Sequence, residues 1–290
     1  MRTLIAIPVY NEARHVLKVL SAVLAHHRSV LVVDDGSTDA TPDLLNGLPV
    51  DVIRHARNRG YGRSLRDAFA YASDEGYDWI ITMDCDFQHE PGAIPEFLAA
   101  SARGDADIVS GSRYIGSLDG EGEAPRDRVA INRLITDEIN ERLATSIGVR
   151  LTDSFCGFKA CRVSALDRMR LTEDGYAFPM QFWAQAAALR LRVLELPVRR
   201  IYNDPKRAFG NGLDDPEVRL SHYRAVLHAE LLRVADRLPG RAVKRVVAPD
   251  SAALRAPSQD VSHLRRAGSR TWQPLKSGAG ALRECCGTSR

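Results

Sequence analysis

The chain has no apolar run of 18 or more residues, and no basic segment followed by an apolar one near its start. The first absence speaks against a transmembrane helix, and the second leads us to expect no secretory signal peptide. The five cysteines are odd in number and lack the paired spacing of a zinc site. We therefore expect reduced thiols in a cytoplasmic protein.

The body of the chain, residues 1–240, has little excess charge of either sign. The formal net charge of the 290 residues is +3. Residues 241–290 contain ten Lys or Arg against three Asp or Glu, a net charge of +7, which leaves −4 for residues 1–240. A near-neutral body argues against a broad nucleic-acid-binding face. The basic end has no apolar periodicity, so we predict a disordered tail over 239–290 after one folded domain over 1–238.

Short apolar runs alternate with amphipathic segments through most of the chain. The predicted strands cover 3–9, 29–35, 51–55, 78–84, 106–112 and 192–202. The predicted helices cover 12–25, 41–46, 62–75, 93–102, 127–147, 178–190 and about 216–238. Near-continuous apolar character is typical of strands covered on both faces. The order predicts an α/β fold, with a mainly parallel central sheet flanked by helices and a C-terminal helical extension.

Polar segments follow four of the predicted strands at their carboxyl ends, where open α/β sheets bind ligands. These segments are PVYNE (8–12), DDGSTD (34–39), DCDFQHEP (84–91) and GSR (111–113). We expect the four loops to converge on one site.

The DCDFQHE segment is the candidate metal site. In an extended chain Asp84, Asp86 and Gln88 would point the same way and present three oxygens together. Close carboxylates repel unless a cation lies between them, and oxygen donors suit Mg²⁺ or Mn²⁺. Such a cation would bridge a diphosphate and neutralise a departing nucleoside diphosphate. The alternatives are a solvated strand end for the DxD pair and a plain loop histidine for His89.

Two further loops suit a nucleotide. Asp34 and Asp35 are placed to accept hydrogen bonds from a base or ribose; a capped turn without a ligand is an equally weighted alternative. In NRGYGRS (58–64), two glycines precede a predicted helix, and backbone amides there are candidates to face phosphates. The chain has neither a GxGxxG fingerprint nor a P-loop.

Together these motifs resemble family-2 inverting glycosyltransferases with the GT-A fold. The resemblance is strongest to the branch of dolichyl-phosphate mannosyltransferase and bacterial polyprenyl-phosphate glycosyltransferases. The matching segments are IPVYNE (7–12), VVDDGSTD (32–39), NRGYG (58–62), MDCDFQHEP (83–91), GSRY (111–114), DSFCGFKACR (153–162) and LELPV (194–198). They span about residues 3–210, so residues 1–238 would form the catalytic domain.

The resemblance implies roles for individual residues. The nucleotide would be held by Pro8, Tyr10, Glu12 and Asp35. The metal and diphosphate would lie on Asp84, Asp86 and Gln88, Arg113 would lie near the acceptor, and Ser154 to Phe158 would form part of the sugar pocket. The chain departs from the branch at three places. Asn203 stands where the branch has an Arg, and Gln181 stands where it has an acid. Lys206 and Arg207 lie near the position of a phosphate-binding Ser-Lys pair, which implies a phosphate-binding role for them.

Two transfer reactions stay open. The first is transfer from GDP-mannose or a UDP-sugar to a polyprenyl phosphate (dolichyl or undecaprenyl), with inversion. A phosphate monoester, with a second pKa of about 6, needs cations but no base, which Arg113, Arg126, Arg128 and Arg133 favour. The second is transfer to a hydroxyl, which needs an acid such as Glu173 or Asp174 as its base.

Two other functions are disfavoured by the motifs. A non-catalytic nucleotide-sugar-binding module does not require the complete set of Asp84, Asp86 and Gln88. A sugar nucleotidyltransferase would have a GxGxR-type loop where PVYNE stands. The expected partners are a nucleotide-sugar donor and a lipid-phosphate acceptor, without nucleic acid. The basic end is also suited to peripheral contact with the inner face of a membrane.

Overall fold

The computed structural model describes residues 1–116, 122, 124–202, 209–210, 212–250 and 253–254. Its strands are β1 (Thr3–Val9), β2 (Val30–Asp34), β3 (Asp51–Arg54), β4 (Trp79–Thr82), β5 (Ile108–Ser112), β6 (Lys159–Arg162) and β7 (Val193–Pro197). Its helices are α1 (Val16–Leu24), α2 (Thr41–Leu45), α3 (Tyr61–Asp74), α4 (Ile94–Ala102), α5 (Arg126–Ile147), α6 (Val163–Leu166), α7 (Phe178–Ala188) and α8 (Pro216–Arg233).

The strands form one seven-stranded sheet in the order β3-β2-β1-β4-β6-β5-β7. β1 is parallel to β2 and β4, β2 is parallel to β3, and β5 is parallel to β7. β6 lies antiparallel between β4 and β5. The predicted mainly parallel α/β fold is confirmed. The antiparallel insertion of β6 was not predicted, since a four-residue strand has too little periodicity to reveal its pairing.

Helices cover both faces of the sheet, which explains the near-continuous apolar strands. In β1, Leu4 and Ala6 belong to the core formed with α3, α5, α7 and α8, whereas Ile5 and Ile7 belong to the core formed with α1 and α4. A strand that is buried on both sides needs no polar alternation. None of the helices in the described part of the chain is both long and apolar enough to cross a membrane.

The topology brings the candidate site together at one sheet edge. β1, β2 and β4 run in the same direction, and β5 shares that direction because both β4 and β5 are antiparallel to β6. Their carboxyl ends therefore meet at one edge. The loops that follow these four strands lie there, as the sequence predicts.

The chain remains packed beyond Leu238, where the sequence predicts the tail to begin. Ala242 is fully buried against α5 and α8, and Val243 and Val246 pack on the same core. The Arg142 guanidinium donates to the carbonyl oxygens of Ala242 (3.1 Å) and Lys244 (3.3 Å). The boundary predicted after residue 238 is therefore too early, because small apolar residues fill the gap between two helices without showing a period. Residues 255–290 lie outside the described part, where disorder stays a prediction.

Truncation tests this boundary. Ending the chain after Leu238 removes the buried Ala242 and two partly buried valines, which should cost about 2 kcal/mol of folding free energy. We expect the melting temperature in thermal unfolding to fall by about 4–8 °C. Ending the chain after Leu254 serves as the control and should leave the transition unchanged. Equal melting temperatures for the two truncations would show that residues 239–254 add nothing.

Candidate active site

The loops after β1 and β2 are joined by a polar seam, the hydrogen bonds between Asn11 and residues 37–38. The Asn11 amide N–H donates to Ser37 Oγ (2.9 Å), and Asn11 Oδ1 accepts from the Thr38 N–H (2.8 Å). Asn11 has a φ of 57°, a left-handed conformation that Asn tolerates better than most residues. Ser37 and Thr38 thus join the two loops instead of capping α2, and Asp39 Oδ1 accepts from the Thr41 N–H at 2.9 Å.

Three predicted nucleotide-binding residues surround this seam. Pro8 lies within β1, Tyr10 is 45% exposed, and Glu12 is buried, with its N–H donating to Thr41 Oγ1 at 2.9 Å. An exposed aromatic ring beside a parallel sheet's carboxyl edge offers a stacking surface for a base. Nucleotide binding by these residues stays a prediction.

Asp35, the fourth predicted nucleotide contact, is already hydrogen-bonded to other groups of the protein. Its Oδ1 contacts His55 Nδ1 (2.6 Å) and accepts from the Arg59 N–H (2.8 Å), and its Oδ2 accepts from the Gly60 N–H (2.9 Å). His55 Nε2 contacts Asp67 Oδ2 at 2.9 Å. Asp35 therefore fixes the NRGYG loop, and that contact gives it a structural role besides the nucleotide-binding role predicted for it.

His55 is charged because two carboxylates flank it. Burial alone would lower the pKa of His55, but the hydrogen bonds to Asp35 and Asp67 outweigh it and raise the pKa to about 9. Burial alone would raise the pKa of Asp67, but the hydrogen bonds from His55 and Arg63 lower it to about 2. No local sequence pattern reveals this cluster, because the two aspartates lie 20 and 12 residues from His55.

The two glycines of NRGYG have a packing role. A Cβ on Gly60, whose φ is 104°, would lie 2.2 Å from the Asp174 carbonyl oxygen, and one on Gly62 would lie 2.4 Å from that of Glu173. The amides of Arg59 and Gly60 donate to Asp35, and the amide of Arg63 donates to the Asp174 carbonyl at 3.1 Å. These amides are used within the protein, so the expectation that they face phosphates is wrong for all three.

The predicted metal segment is not an extended strand. β4 ends at Thr82, and Phe87 has a φ of 59°, so the alternation assumed for residues 84, 86 and 88 does not apply. Asp84 is 29% exposed, Asp86 is buried, and Asp86 Oδ1 accepts from the Gln88 N–H at 3.0 Å. The chain turns here because an acid two residues before an amide closes a short Asx turn.

The donor chemistry at Asp84 fits a divalent cation. Tyr61 donates its hydroxyl to Asp84 Oδ1 at 3.1 Å, and a Cβ on Gly157 would lie 3.0 Å from Oδ2. Gly157 thus lacks a side chain because Tyr61, His89 and the Asp84 carboxylate pack against it, and His89 Nδ1 lies 3.7 Å from Oδ2. In the described part of the chain, no three His, Cys, Asp or Glu side chains form a complete cage. Two carboxylates completed by substrate phosphates are a usual Mg²⁺ arrangement.

The side chain of His89 supports the backbone of Asp84. The Asp84 N–H lies 2.8 Å from His89 Nδ1, and His89 Nε2 lies 4.0 Å from the thiol of Cys156. Burial opposes a charge on this ring, while the carboxylates of Asp84 and Asp86 favour it and raise the pKa of His89 to about 9. The Asp84 N–H nevertheless needs a lone pair on Nδ1, and a cation on Asp84 would favour the same neutral ring.

Arg113, the predicted acceptor contact, is bound to a buried acid. Its Nε and Nη2 donate to Asp153 Oδ2 (2.6 Å) and Oδ1 (2.9 Å), and its side chain is 13% exposed. Burial alone would raise the pKa of Asp153, but the Arg113 guanidinium holds it below its ordinary value. Asp153 Oδ1 also accepts from the amides of Phe155 and Cys156. The geometry therefore makes Arg113 a support of the 153–157 loop, and its charge is already matched.

The two predicted base candidates differ in their surroundings. The Asp174 carboxylate forms an ion pair with Arg66 on α3. Burial raises the pKa of Glu173, although its Oε1 accepts from the Gly175 N–H at 2.8 Å. Gln181 accepts from the amides of Thr172 and Glu173 and so holds this segment in place. Asn203, Lys206 and Arg207 lie outside the described residues.

The sequence profile of Glycosyl transferase family 2 matches residues 4–170. The chain belongs to this family. It is a glycosyltransferase.

Two bacterial proteins are similar to this glycosyltransferase. The undecaprenyl-phosphate mannosyltransferase of Micrococcus luteus is 29% identical over 208 residues, which cover 68% of this chain and 83% of the relative. The polyprenol monophosphomannose synthase of Mycolicibacterium smegmatis is 29% identical over 210 residues, which cover 68% and 76%.

Solved structures confirm the GT-A fold. Glucosyl-3-phosphoglycerate synthase from Mycobacterium tuberculosis, in complex with Mn²⁺, UDP and phosphoglyceric acid, has a TM-score of 0.60 at 17% identity and covers 82% of this chain and 79% of its own. The same enzyme with Mn²⁺, UDP-glucose and phosphoglyceric acid has a TM-score of 0.58 at 18% identity and covers 82% and 80%. The predicted fold class and family are therefore confirmed.

The His55 cluster predicts a pH dependence of stability. The pKa of His55 is raised from 6.5 to about 9, so its contribution is complete below pH 6.5 and is lost as the pH rises through about 9. We expect the unfolding free energy of wild type to exceed that of His55→Gln at pH 6, with the difference shrinking towards pH 10. Urea unfolding at several pH values measures it. His26→Gln, at an exposed position, is the control, and a difference for His55→Gln that is constant with pH would contradict the charged assignment.

Proposed function

We propose that this glycosyltransferase transfers a sugar from GDP-mannose or a UDP-sugar to a polyprenyl phosphate, with inversion and with Mg²⁺ or Mn²⁺ as cofactor. The similarity to two polyprenyl-phosphate mannosyltransferases over two thirds of the chain supports the acceptor class. A neighbour in fold that was crystallised with Mn²⁺ supports the cation.

One feature of the geometry carries the acceptor assignment. A row of aromatic rings leads from the candidate metal site to a cation at the start of α5. Tyr61, which binds Asp84, stacks on Tyr176 at 5.9 Å between ring centroids, and Tyr176 contacts Phe209 edge-on at 5.4 Å. The Arg128 guanidinium lies 4.5 Å from the Phe209 ring centroid. Aromatic rings suit an isoprenoid chain, and a guanidinium beside a helix N-terminus suits its phosphate.

In this proposal each group has a separate task. A divalent cation held by Asp84 and Asp86, with Gln88 beside them, would neutralise the leaving diphosphate. Arg128 takes the acceptor-binding role that the resemblance suggests for Arg113, because Arg128 lies beside the row of aromatic rings, whereas Arg113 supports the 153–157 loop through Asp153. The acceptor phosphate is already anionic near neutral pH, so no side chain has to accept a proton.

Transfer to a hydroxyl is the second candidate, and one observation favours it. Burial raises the pKa of Glu173, which suits a general base. Asp174 is less suited, because Arg66 forms an ion pair with its carboxylate. The two candidates therefore differ in whether Arg128 or Glu173 is required.

We further propose that the enzyme acts as a peripheral protein at the inner face of the membrane. Residues 241–290 carry a net charge of +7, from ten basic and three acidic residues. Each Lys or Arg near an anionic surface contributes about 1 kcal/mol of binding free energy. A lipid acceptor is found at such a surface, so this contact would raise its local concentration.

The metal assignment is tested with Asp86→Asn. Asparagine keeps the Oδ1 that accepts from the Gln88 N–H, so the turn should persist while the charge is lost. We expect the Mn²⁺-dependent rise in melting temperature with the true donor to disappear in a thermal-shift panel of GDP- and UDP-sugars. Asp105→Asn, at an exposed position, should behave as wild type. Wild-type turnover by Asp86→Asn in chelator-treated buffer would contradict the metal site.

The acceptor assignment is tested by removing one cation and one acid. Arg128→Ala should lower kcat/KM for a polyprenyl phosphate about 10- to 100-fold, the value of a hydrogen bond to a charged group. The control is Arg133→Ala on the same helix, where the side chain is 84% exposed. Glu173→Gln should have a small effect. The reverse pattern, with Glu173→Gln inactive and Arg128→Ala near normal, would favour the hydroxyl acceptor.

A further inference from the structure

Asp84 has no strand to hold it. β4 ends at Thr82, and residues 85–89 form bends. A carboxylate on such a segment has several rotamers, and each would place its oxygens differently. A metal carboxylate that is not fixed binds its cation weakly, because binding must also order the side chain. The contacts around Asp84 therefore decide how well it binds.

His89 fixes the backbone of Asp84. Its Nδ1 lies 2.8 Å from the Asp84 N–H, which occupies the lone pair of that nitrogen. The ring is 5% exposed and lies 5.4 Å from the ring of Phe158, which stacks on Phe97 at 4.2 Å. The other nitrogen, Nε2, is directed towards the Cys156 thiol at 4.0 Å. Both nitrogens are thus turned into the protein, so His89 supports Asp84 and is not itself a metal ligand.

Tyr61 fixes the carboxylate itself. Its hydroxyl donates to Asp84 Oδ1 at 3.1 Å, and its ring is held by stacking on Tyr176 with 13° between the ring planes. The other oxygen, Oδ2, lies beside the bare Cα of Gly157. Tyr61 is the first residue of α3, a 14-residue helix packed against β1, β2 and β4. The hydroxyl is therefore placed by a rigid element.

We infer that Tyr61 and His89 are positioning residues that orient the Asp84 carboxylate for the divalent cation. Tyr61 donates to Oδ1, His89 holds the backbone and lies 3.7 Å from Oδ2, and the missing side chain of Gly157 lets these groups pack around the carboxylate. This inference rests on the proposed function, since it takes Asp84 as a ligand. Groups that orient a metal ligand typically change the metal affinity about 10- to 100-fold when removed.

The Tyr61 contact is tested by Mn²⁺ binding without donor or acceptor. Free Mn²⁺ is measured by electron paramagnetic resonance as the ion is titrated into the full chain. Tyr61→Phe removes one hydroxyl and keeps the ring stacked, and we expect the Kd for Mn²⁺ to rise about tenfold. Tyr71→Phe is the matched control, because it removes a hydroxyl from the same helix that bonds to Asp51, away from the site. Wild-type affinity in Tyr61→Phe would overturn the role of Tyr61.

The His89 contact is tested by a pair of variants of similar size. Asparagine places an acceptor oxygen where Nδ1 stands, whereas leucine has none. We expect His89→Leu to raise the Kd for Mn²⁺ about 10- to 100-fold and His89→Asn to restore most of the affinity. Equal losses in the two variants would show that His89 only fills space and would overturn its positioning role. If His89→Leu does not fold, His89→Asn decides: near-wild-type affinity supports the role, and a loss as large as that expected of the leucine variant overturns it.

Asp84→Asn separates this inference from the proposed function. If Asp84→Asn abolishes Mn²⁺ binding while Tyr61→Phe and His89→Leu bind as wild type, the inference is wrong and the metal site stands. If Asp84→Asn binds Mn²⁺ as wild type does, the metal site of the proposed function is wrong, and the inference is wrong with it.

Discussion

The burial of aspartates at the carboxyl edge of the sheet is the constraint on which the site depends. Asp34 ends β2, Asp35 follows it, and Asp84 and Asp86 follow β4. Moving a carboxylate out of water is costly unless a partner compensates for the lost hydration. These carboxylates are tolerated only if each has a partner that offsets its charge or donates hydrogen bonds to it.

The partners come from the loops, so neutralising the aspartates also builds the site. Arg54 lies 3.2 Å from the buried Asp34, while His55 and two backbone amides bind Asp35. The NRGYG loop is thereby fixed to the sheet, and Tyr61 reaches Asp84. Asp84 is the most exposed of the four, which leaves it best placed to share its charge with a cation.

Much of the fold follows from local pattern, and much of the site does not. Continuous apolar runs of strand length and amphipathic stretches of helix length identify most elements, and strand direction then places four loops at one edge. The contacts inside that edge depend on residues that are distant in sequence. Arg113 and Asp153 are 40 residues apart, and no periodicity links them. The sequence shows that an arginine is present but not that a buried acid already neutralises it.

The glycines of the NRGYG loop also show that contacts between distant residues cannot be predicted from local sequence. A glycine pair before a helix indicates backbone freedom, and phosphate binding is one use of that freedom. In this chain Gly60 and Gly62 lack a side chain because the 172–175 segment crosses them at contact distance. Gln181 binds that segment through its side-chain oxygen and reaches Glu230 on α8 through its amide nitrogen, at 3.0 Å.

The NRGYG loop, which Asp35 anchors, therefore packs as one unit with the segment that carries Glu173 and Asp174. Arg66 of α3 adds an ion pair to Asp174, and Tyr61 adds a stacked ring on Tyr176. Replacing Gly60 or Gly62 with a larger residue would displace the acidic segment as well as the loop. In the proposed function, backbone packing between α3 and residues 172–176 would set the position of the acceptor relative to Asp84, and side chains such as Arg128 would select the acceptor.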